Sequence, residues 1–208
     1  MMGTVKDYWI NSARYDWWQA RYAGNIIERI FYNLKIRRIL SFTDFRNKYI
    51  LDLGCATGVN TNDFYKQSKN TFGIDISKWA IEKARQKSSH INYQVMDSEN
   101  ISFKDNSFDI IVMTGIIQYL EKPEASINEV YRLLKPGGFL IVEVPWKYSV
   151  YNNIFLRRLI TGKENPNDEP INRVYSSKQL KILLKRFECL RMNVFLVAIL
   201  LGLFQKSL

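Results

Sequence analysis

A chain of 208 residues with 47% apolar side chains is long enough to bury one sizeable core and short for two. Thirty Lys and Arg against twenty Asp and Glu leave a formal charge of +10, which favours anionic surroundings such as nucleic acid, acidic lipid or phosphorylated small molecules without choosing among them. The two cysteines, Cys55 and Cys189, stand far apart and lack metal-ligand spacing, so neither a disulfide framework nor a metal site is expected.

In chain order, the first stretch carries dense aromatics, Tyr8, Trp9, Tyr15, Trp17, Trp18 and Tyr22, with no continuous apolar core and no small-residue cleavage site. It does not read as a secretory signal, and the chain is expected in the cytoplasm. Residues 7–42 have a helical pattern in which Ile27, Ile30, Phe31 and Leu34 share one face, with Gly24 as a break. Tyr49-Ile50-Leu51-Asp52-Leu53 is a short apolar run that stops at Gly54, as buried parallel strands do. A helix over 59–69, a strand over 71–76, a helix capped by Ser77 and a strand over 91–96 complete a βαβαβ half.

The second half opens with a strand over 108–113 and a helix placing Ile127, Val130, Tyr131 and Leu134 on one face. Pro136-Gly137-Gly138 ends that helix, and 139–144 is the fifth strand. Ser176-Ser177-Lys178-Gln179 has the form of a capping box, opening a helix that buries Leu180, Leu183, Leu184 and Phe187. Alternating strands and helices predict an α/β, doubly wound, mostly parallel sheet in three layers.

The connection over 145–175 is long, rich in Asn, Asp, Glu and Pro in its middle, and leaves the carboxyl end of a strand, which predicts a substrate lid. Its start, residues 146–160, mixes Trp146, Tyr148, Tyr151 and Phe155 with Lys147, Arg157 and Arg158, a composition suited to peripheral contact with acidic headgroups. The apolar run over 194–204 is eleven residues, against about 20 for a spanning helix. Alternation of Leu190, Met192, Val194 and Leu196 directs this tail into the sheet, but no clear turn precedes Gly202, so a seventh strand is expected to be shortened or missing.

The chemistry concentrates in Ile50-Leu51-Asp52-Leu53-Gly54-Cys55-Ala56-Thr57-Gly58. Gly54 and Gly58 permit a sharp strand-to-helix turn and close approach of backbone to a ligand. Taken alone this device also serves dinucleotide-binding folds, as does Asp75, about 20 residues further on, where a carboxylate can accept from ribose hydroxyls. Asp97, just past the third strand, is less shared with them. Either aspartate could instead cap a helix or turn.

The strand, acid and glycine turn resemble the first motif of class I S-adenosylmethionine-dependent methyltransferases. Asn106-Ser107-Phe108-Asp109-Ile110-Ile111-Val112 and Leu133-Leu134-Lys135-Pro136-Gly137-Gly138-Phe139-Leu140 are similar to the later motifs in order and spacing, so the match runs over 49–145. The resemblance implies S-adenosylmethionine as cofactor, held by Asp52, Gly54, Cys55, Ala56, Thr57, Gly58, Asp75, Ile76, Asp97, Ser98 and Thr114. Asp75 would take the ribose, Asp97 and Ser98 the adenine amine, and Asp52 the methionine part. Ala56 stands where the family often has glycine, and Gln118-Tyr119 stand where many relatives have a Glu-His pair, so no general base is assigned and Tyr119 is the one catalytic candidate, as a positioning group.

The acceptor is expected to be a small or lipid-like molecule meeting Tyr15, Trp18, Tyr22, Gln118, Tyr119 and Trp146, with nucleic acid left open by the charge and oligomeric state unassigned. The layout implied is one domain, with a helical cap over 1–45, a cofactor-binding core over 46–145, the lid over 146–175 and a last helix and strand over 176–208. Two rivals remain: a nicotinamide-dependent oxidoreductase, and a cofactor-binding protein without catalysis. His90 lies at the wrong edge of the sheet for this chemistry, and the Tyr131/Lys135 spacing, which some dehydrogenases share, is read as coincidence. Asp109 and the Pro-Gly-Gly turn are assigned to folding.

Overall fold

Short apolar runs bounded by turn residues become the strands of a single sheet in the computed structural model, which describes residues 5–10, 26–148, 173–195 and 199–207. These strands are β1 (Ile50–Leu53), β2 (Thr71–Asp75), β3 (Asn92–Val95), β4 (Phe108–Thr114), β5 (Leu134–Pro145), β6 (Glu188–Phe195) and β7 (Ile199–Gln205). Their order is β3-β2-β1-β4-β5-β7-β6. The first five run parallel, and β7 enters antiparallel between β5 and β6. The direction of winding reverses between β1 and β4, and the connections leaving their carboxyl ends part there to open a crevice.

Helices cover both faces, as parallel strands require. α1 (Val5–Ile10), α2 (Ile26–Leu40), α3 (Val59–Gln67), α4 (Lys78–Lys87), α5 (Pro123–Leu133) and α6 (Ser177–Leu183) accompany a 3-10 turn at Ile117–Tyr119. Ser77 caps α4 by accepting from the Ala80 N–H, and Ser176 with Gln179 forms the expected capping box of α6. Period-two alternation divides the core. Leu51, Ile111 and Leu140 pack with α5 and α6, whereas Ile50, Ile110 and Ile141 face α2 and α3 through Ile36, Ile39 and Phe64.

Three expectations are corrected. On α2 the inward face is Lys35, Ile36 and Ile39, while Ile30, Phe31 and Leu34 are exposed. Apolar residues stand on two sides of this helix, Ile30, Phe31 and Leu34 on one and Ile36 and Ile39 on the other, so periodicity alone did not decide which side meets the sheet. The seventh strand is complete: β7 pairs along seven residues with β5, and Gly202 sits opposite Val142 inside the ladder. Finally, β5 starts at Leu134, directly from α5, so Pro136-Gly137-Gly138 lies within the strand and Leu134 is not on the helix.

At the amino edge of the sheet, Asp109 accepts from the Tyr49 N–H at 2.8 Å and pairs with Lys135 at 2.9 Å, a folding role far from the crevice. Tyr131 packs instead against Phe187, so Tyr131 and Lys135 make no joint site. His90 is exposed and lies against the Tyr65 ring. Among the described residues, no helix is long and apolar enough to cross a membrane.

Candidate active site

Where β1 ends, three residues in a row of five adopt left-handed backbone: Gly54 at φ 77, Ala56 at φ 48 and Gly58 at φ 80. The turn is fixed from below by Gly54 and Cys55, whose N–H groups both donate to the Ile74 carbonyl, at 2.9 and 3.0 Å. It is fixed from the side by Asp75. One Asp75 oxygen accepts from the Ala56 N–H at 2.9 Å and the other from the Ser77 N–H at 2.9 Å, joining the turns after β1 and β2. The carboxylate is thus immobilised at the rim of a cavity before any ligand arrives.

That cavity holds about 1190 Å³, counted out to its open mouth, at the carboxyl ends of β1 to β4. Of the residues expected to hold the cofactor, Gly54, Cys55, Ala56, Thr57, Asp75, Ile76, Asp97, Ser98 and Thr114 form its wall. Ile76 and Met96 supply apolar surface beside the two aspartates. Asp97 accepts from the Glu99 N–H at 3.0 Å and forms an ion pair with Lys6 at 2.9 Å. Lys6 also reaches Glu99 at 3.0 Å, and the Asp97 hydrogen bond is the main reason its ammonium pKa is raised. In this way α1 is tied over the end of β3, and Trp9 reaches the other wall, its ring edge-on to Tyr119 at 4.8 Å.

Tyr119 therefore lines the cavity as expected, with Asn60, Gly115, Ile116 and Tyr32 beside it. Asn60 donates to the Thr114 hydroxyl at 2.7 Å, and Tyr32 donates to Asp63 at 2.7 Å. Lys6, Trp9, Tyr32 and Asn60 were not singled out from the sequence as site residues. The aromatic density around Trp9 was visible, but Lys6 meets its partner 91 residues away, which no local pattern announces.

Four expected site residues lie elsewhere. Gly58 is not in the wall: a Cβ there would stand 2.3 Å from the Tyr93 hydroxyl, so a protein side chain, not a ligand, fills its open side. At Gly54 the same space is taken by Ile116, at 2.7 Å, although its backbone still lines the cavity. Trp146 pairs with Tyr175 and packs on the α5 and α6 side of the core. Gln118 is buried away from the wall, and Asp52 lies beneath it. Tyr15, Trp18 and Tyr22 lie outside the described residues, as does most of the 146–175 connection.

Asp52 shares the face of Ile50 and so points toward α2 and α3. There it is fully buried and accepts from the Thr61 hydroxyl at 2.6 Å. Burial pushes its pKa up to about 7, the Thr61 hydrogen bond opposes this, Asp75 adds to it, and the positive charge of Lys35 again opposes it. Lys35 itself, buried on α2, pairs with Glu143 of β5 at 3.1 Å. Burial also raises the Cys55 thiol, which stays protonated and is no nucleophile near neutral pH.

A carboxyl with a raised pKa binds its proton in the folded chain at pH values where the unfolded chain has lost it. The Asp52 contribution to stability therefore falls as pH rises from about 4 to about 7 and is level outside that window. In Asp52→Asn this segment should vanish, so melting temperatures of the two proteins, compared across the window, should converge or cross as pH rises. Parallel curves would contradict the buried carboxyl.

Residues 51–142 match the family described as the methyltransferase domain. A ubiquinone biosynthesis O-methyltransferase of Coxiella burnetii is 28% identical over 151 residues, 70% of this chain and 61% of the relative. A malonyl-[acyl-carrier protein] O-methyltransferase of Hamiltonella defensa is 25% identical over 146 residues, 69% of this chain and 54% of the relative. The chain thus spans less than two thirds of the length of these curated relatives. An S-adenosylmethionine-dependent methyltransferase structure from Thermotoga maritima superposes with a TM-score of 0.74 at 20% identity, over 93% of this chain and 97% of that one, which speaks for the fold. Residues 51–142 are thus similar to the methyltransferase domain, and the sheet order is that of a fold which S-adenosylmethionine-dependent methyltransferase structures share.

Proposed function

We propose that the chain moves the methyl group of S-adenosylmethionine to a small or lipid-like acceptor. The observation that carries this reading is a cavity wall that brings together two carboxylates, Asp75 and Asp97, and the apolar side chains of Ile76 and Met96. The Asp75 oxygens accept from the Ala56 and Ser77 N–H groups, which fixes the carboxylate in the cavity wall, where ribose hydroxyls would donate to it. Asp97, which accepts from the Glu99 N–H and pairs with Lys6, would take an exocyclic amine, with Ile76 and Met96 as apolar surface for a purine. These acceptors and their apolar neighbours therefore fit the cofactor.

The chemistry supplied by the cofactor is a methyl group already activated on a positively charged sulfur. What remains for the protein is to hold, align and keep water out. Asp75 and the 54–57 backbone would hold the nucleoside, and Trp9 with Tyr119 would close the acceptor side as apolar walls. Tyr119 acts here as a positioning group, with the acceptor between α1 and the 146–175 connection. In this layout residues 1–45 are the cap, 46–145 the cofactor core, 146–175 the lid, and 176–208 the closing helix and strand. The Lys6 tether of α1 supports the cap.

Relatives named for ubiquinone biosynthesis and for malonyl-[acyl-carrier protein] O-methylation support an acceptor of that kind over RNA. A cytoplasmic location fits the two free cysteines. The test is incubation of the purified protein with labelled S-adenosylmethionine and separate lipid, small-molecule and RNA pools. Label is expected in the lipid or small-molecule pool. Label in RNA overturns the acceptor class, and cofactor binding without label in any pool favours a protein that binds without catalysing.

A further inference from the structure

Along the outer side of α2, Ile26, Ile30 and Leu34 recur every fourth residue and are 64%, 53% and 42% exposed, with Phe31 beside them at 45%. An apolar row of this kind on a surface helix marks a contact site, because the same side chains would cost less inside. Its borders are basic. Arg29 and Arg37 are exposed within the same outward arc, and Arg38 is half-buried at its end. The described positions of that arc carry no carboxylate, in a chain whose formal charge is +10.

We propose that this face of α2 docks on the surface of an acidic lipid bilayer. The apolar row would enter the boundary between headgroups and acyl chains, while Arg29 and Arg37 meet lipid phosphates. Charge decides against a second copy of the chain as the occupant. Two such faces packed together would set arginine against arginine, whereas anionic headgroups pair with them. The placement also suits the cavity, since Tyr32 of the same helix lines its wall. Docking here would bring the cavity mouth near the lipid phase from which a lipid-like acceptor comes. That purpose rests on the methyl-transfer reading; the docking itself does not, and it is measured without cofactor.

The full chain is sedimented with vesicles of phosphatidylcholine alone and of phosphatidylcholine mixed with phosphatidylglycerol. Binding is expected to the mixed vesicles, weak to the neutral ones, and reduced by salt. Each arginine removed should lower affinity about fivefold, so the pair Arg29→Gln and Arg37→Gln should lower it about 25-fold. The pair Ile30→Ser and Phe31→Ser should reduce binding to the level of neutral vesicles. Both double variants alter exposed side chains and should keep the wild-type affinity for S-adenosylmethionine. Equal vesicle binding by wild type and both variants overturns the proposal, as does no binding to anionic vesicles at low salt. A concentration-dependent dimer that Ile30→Ser dissolves overturns it in favour of a second copy. Loss of vesicle binding with methyl transfer intact, or the reverse, separates the failure of this proposal from that of the reaction.

Discussion

Asp75→Ala should weaken S-adenosylmethionine binding by about 1 to 3 kcal/mol, roughly fivefold to 150-fold in calorimetric titration. Hydrogen bonds to an ionised group stand at the upper end of the usual range, and in this site they cost no reorganisation. Asp75 is only 6% exposed and already held by the N–H groups of Ala56 and Ser77, so its orientation is fixed in the free protein. Its removal also leaves those two donors without their acceptor, and a loss of thermal stability should accompany the loss of affinity. Asp75→Asn keeps one carbonyl oxygen and forfeits the charge, and should fall between wild type and alanine. An alanine variant with wild-type affinity would take Asp75 out of the site.

The second large effect is on the fold under the site. Gly58→Ala should destabilise the chain by about 2 to 4 kcal/mol and lower the melting temperature by roughly 10 °C. Two costs combine. Gly58 has φ 80, a conformation that charges any residue with a Cβ on the order of 1 to 2 kcal/mol. The new methyl would also stand 2.3 Å from the Tyr93 hydroxyl and 2.8 Å from the ring carbon bearing it, in a side chain that is itself buried. Removing that hydroxyl by Tyr93→Phe should recover part of the loss, making the double variant less destabilised than the sum. Additive losses would show that the two residues do not meet.

These two residues mark where the sequence could be read and where it could not. The strands β1, β2 and β4 were legible because buried parallel strands are nearly unbroken apolar runs, whereas β3, Asn92-Tyr93-Gln94-Val95 at the sheet edge, was legible only from its place after a capped helix. Asp75 was legible from its distance along the chain from the glycine turn. At Gly58 the sharp turn was legible but the occupant of its open side, Tyr93, 35 residues later, was not, since spacing within a motif says nothing about such a partner. Asp52 was misplaced for a more avoidable reason. It alternates with Leu51 and Leu53 and shares the face of Ile50, so period two already directs it to α2 and α3 and not to the cavity. Lys6 and the orientation of α2 depend on long-range packing, and a helix with apolar residues on two sides leads periodicity to the outward one.

A crystal of the chain grown with S-adenosylmethionine tests the central claim most directly. The adenosine should be seated over residues 54–57, with both ribose oxygens within hydrogen-bond distance of Asp75 and the purine against Ile76 and Met96 with its amine at Asp97. Cofactor found elsewhere on the sheet, or Asp75 keeping only its bonds to Ala56 and Ser77 while the ribose turns away, would contradict it.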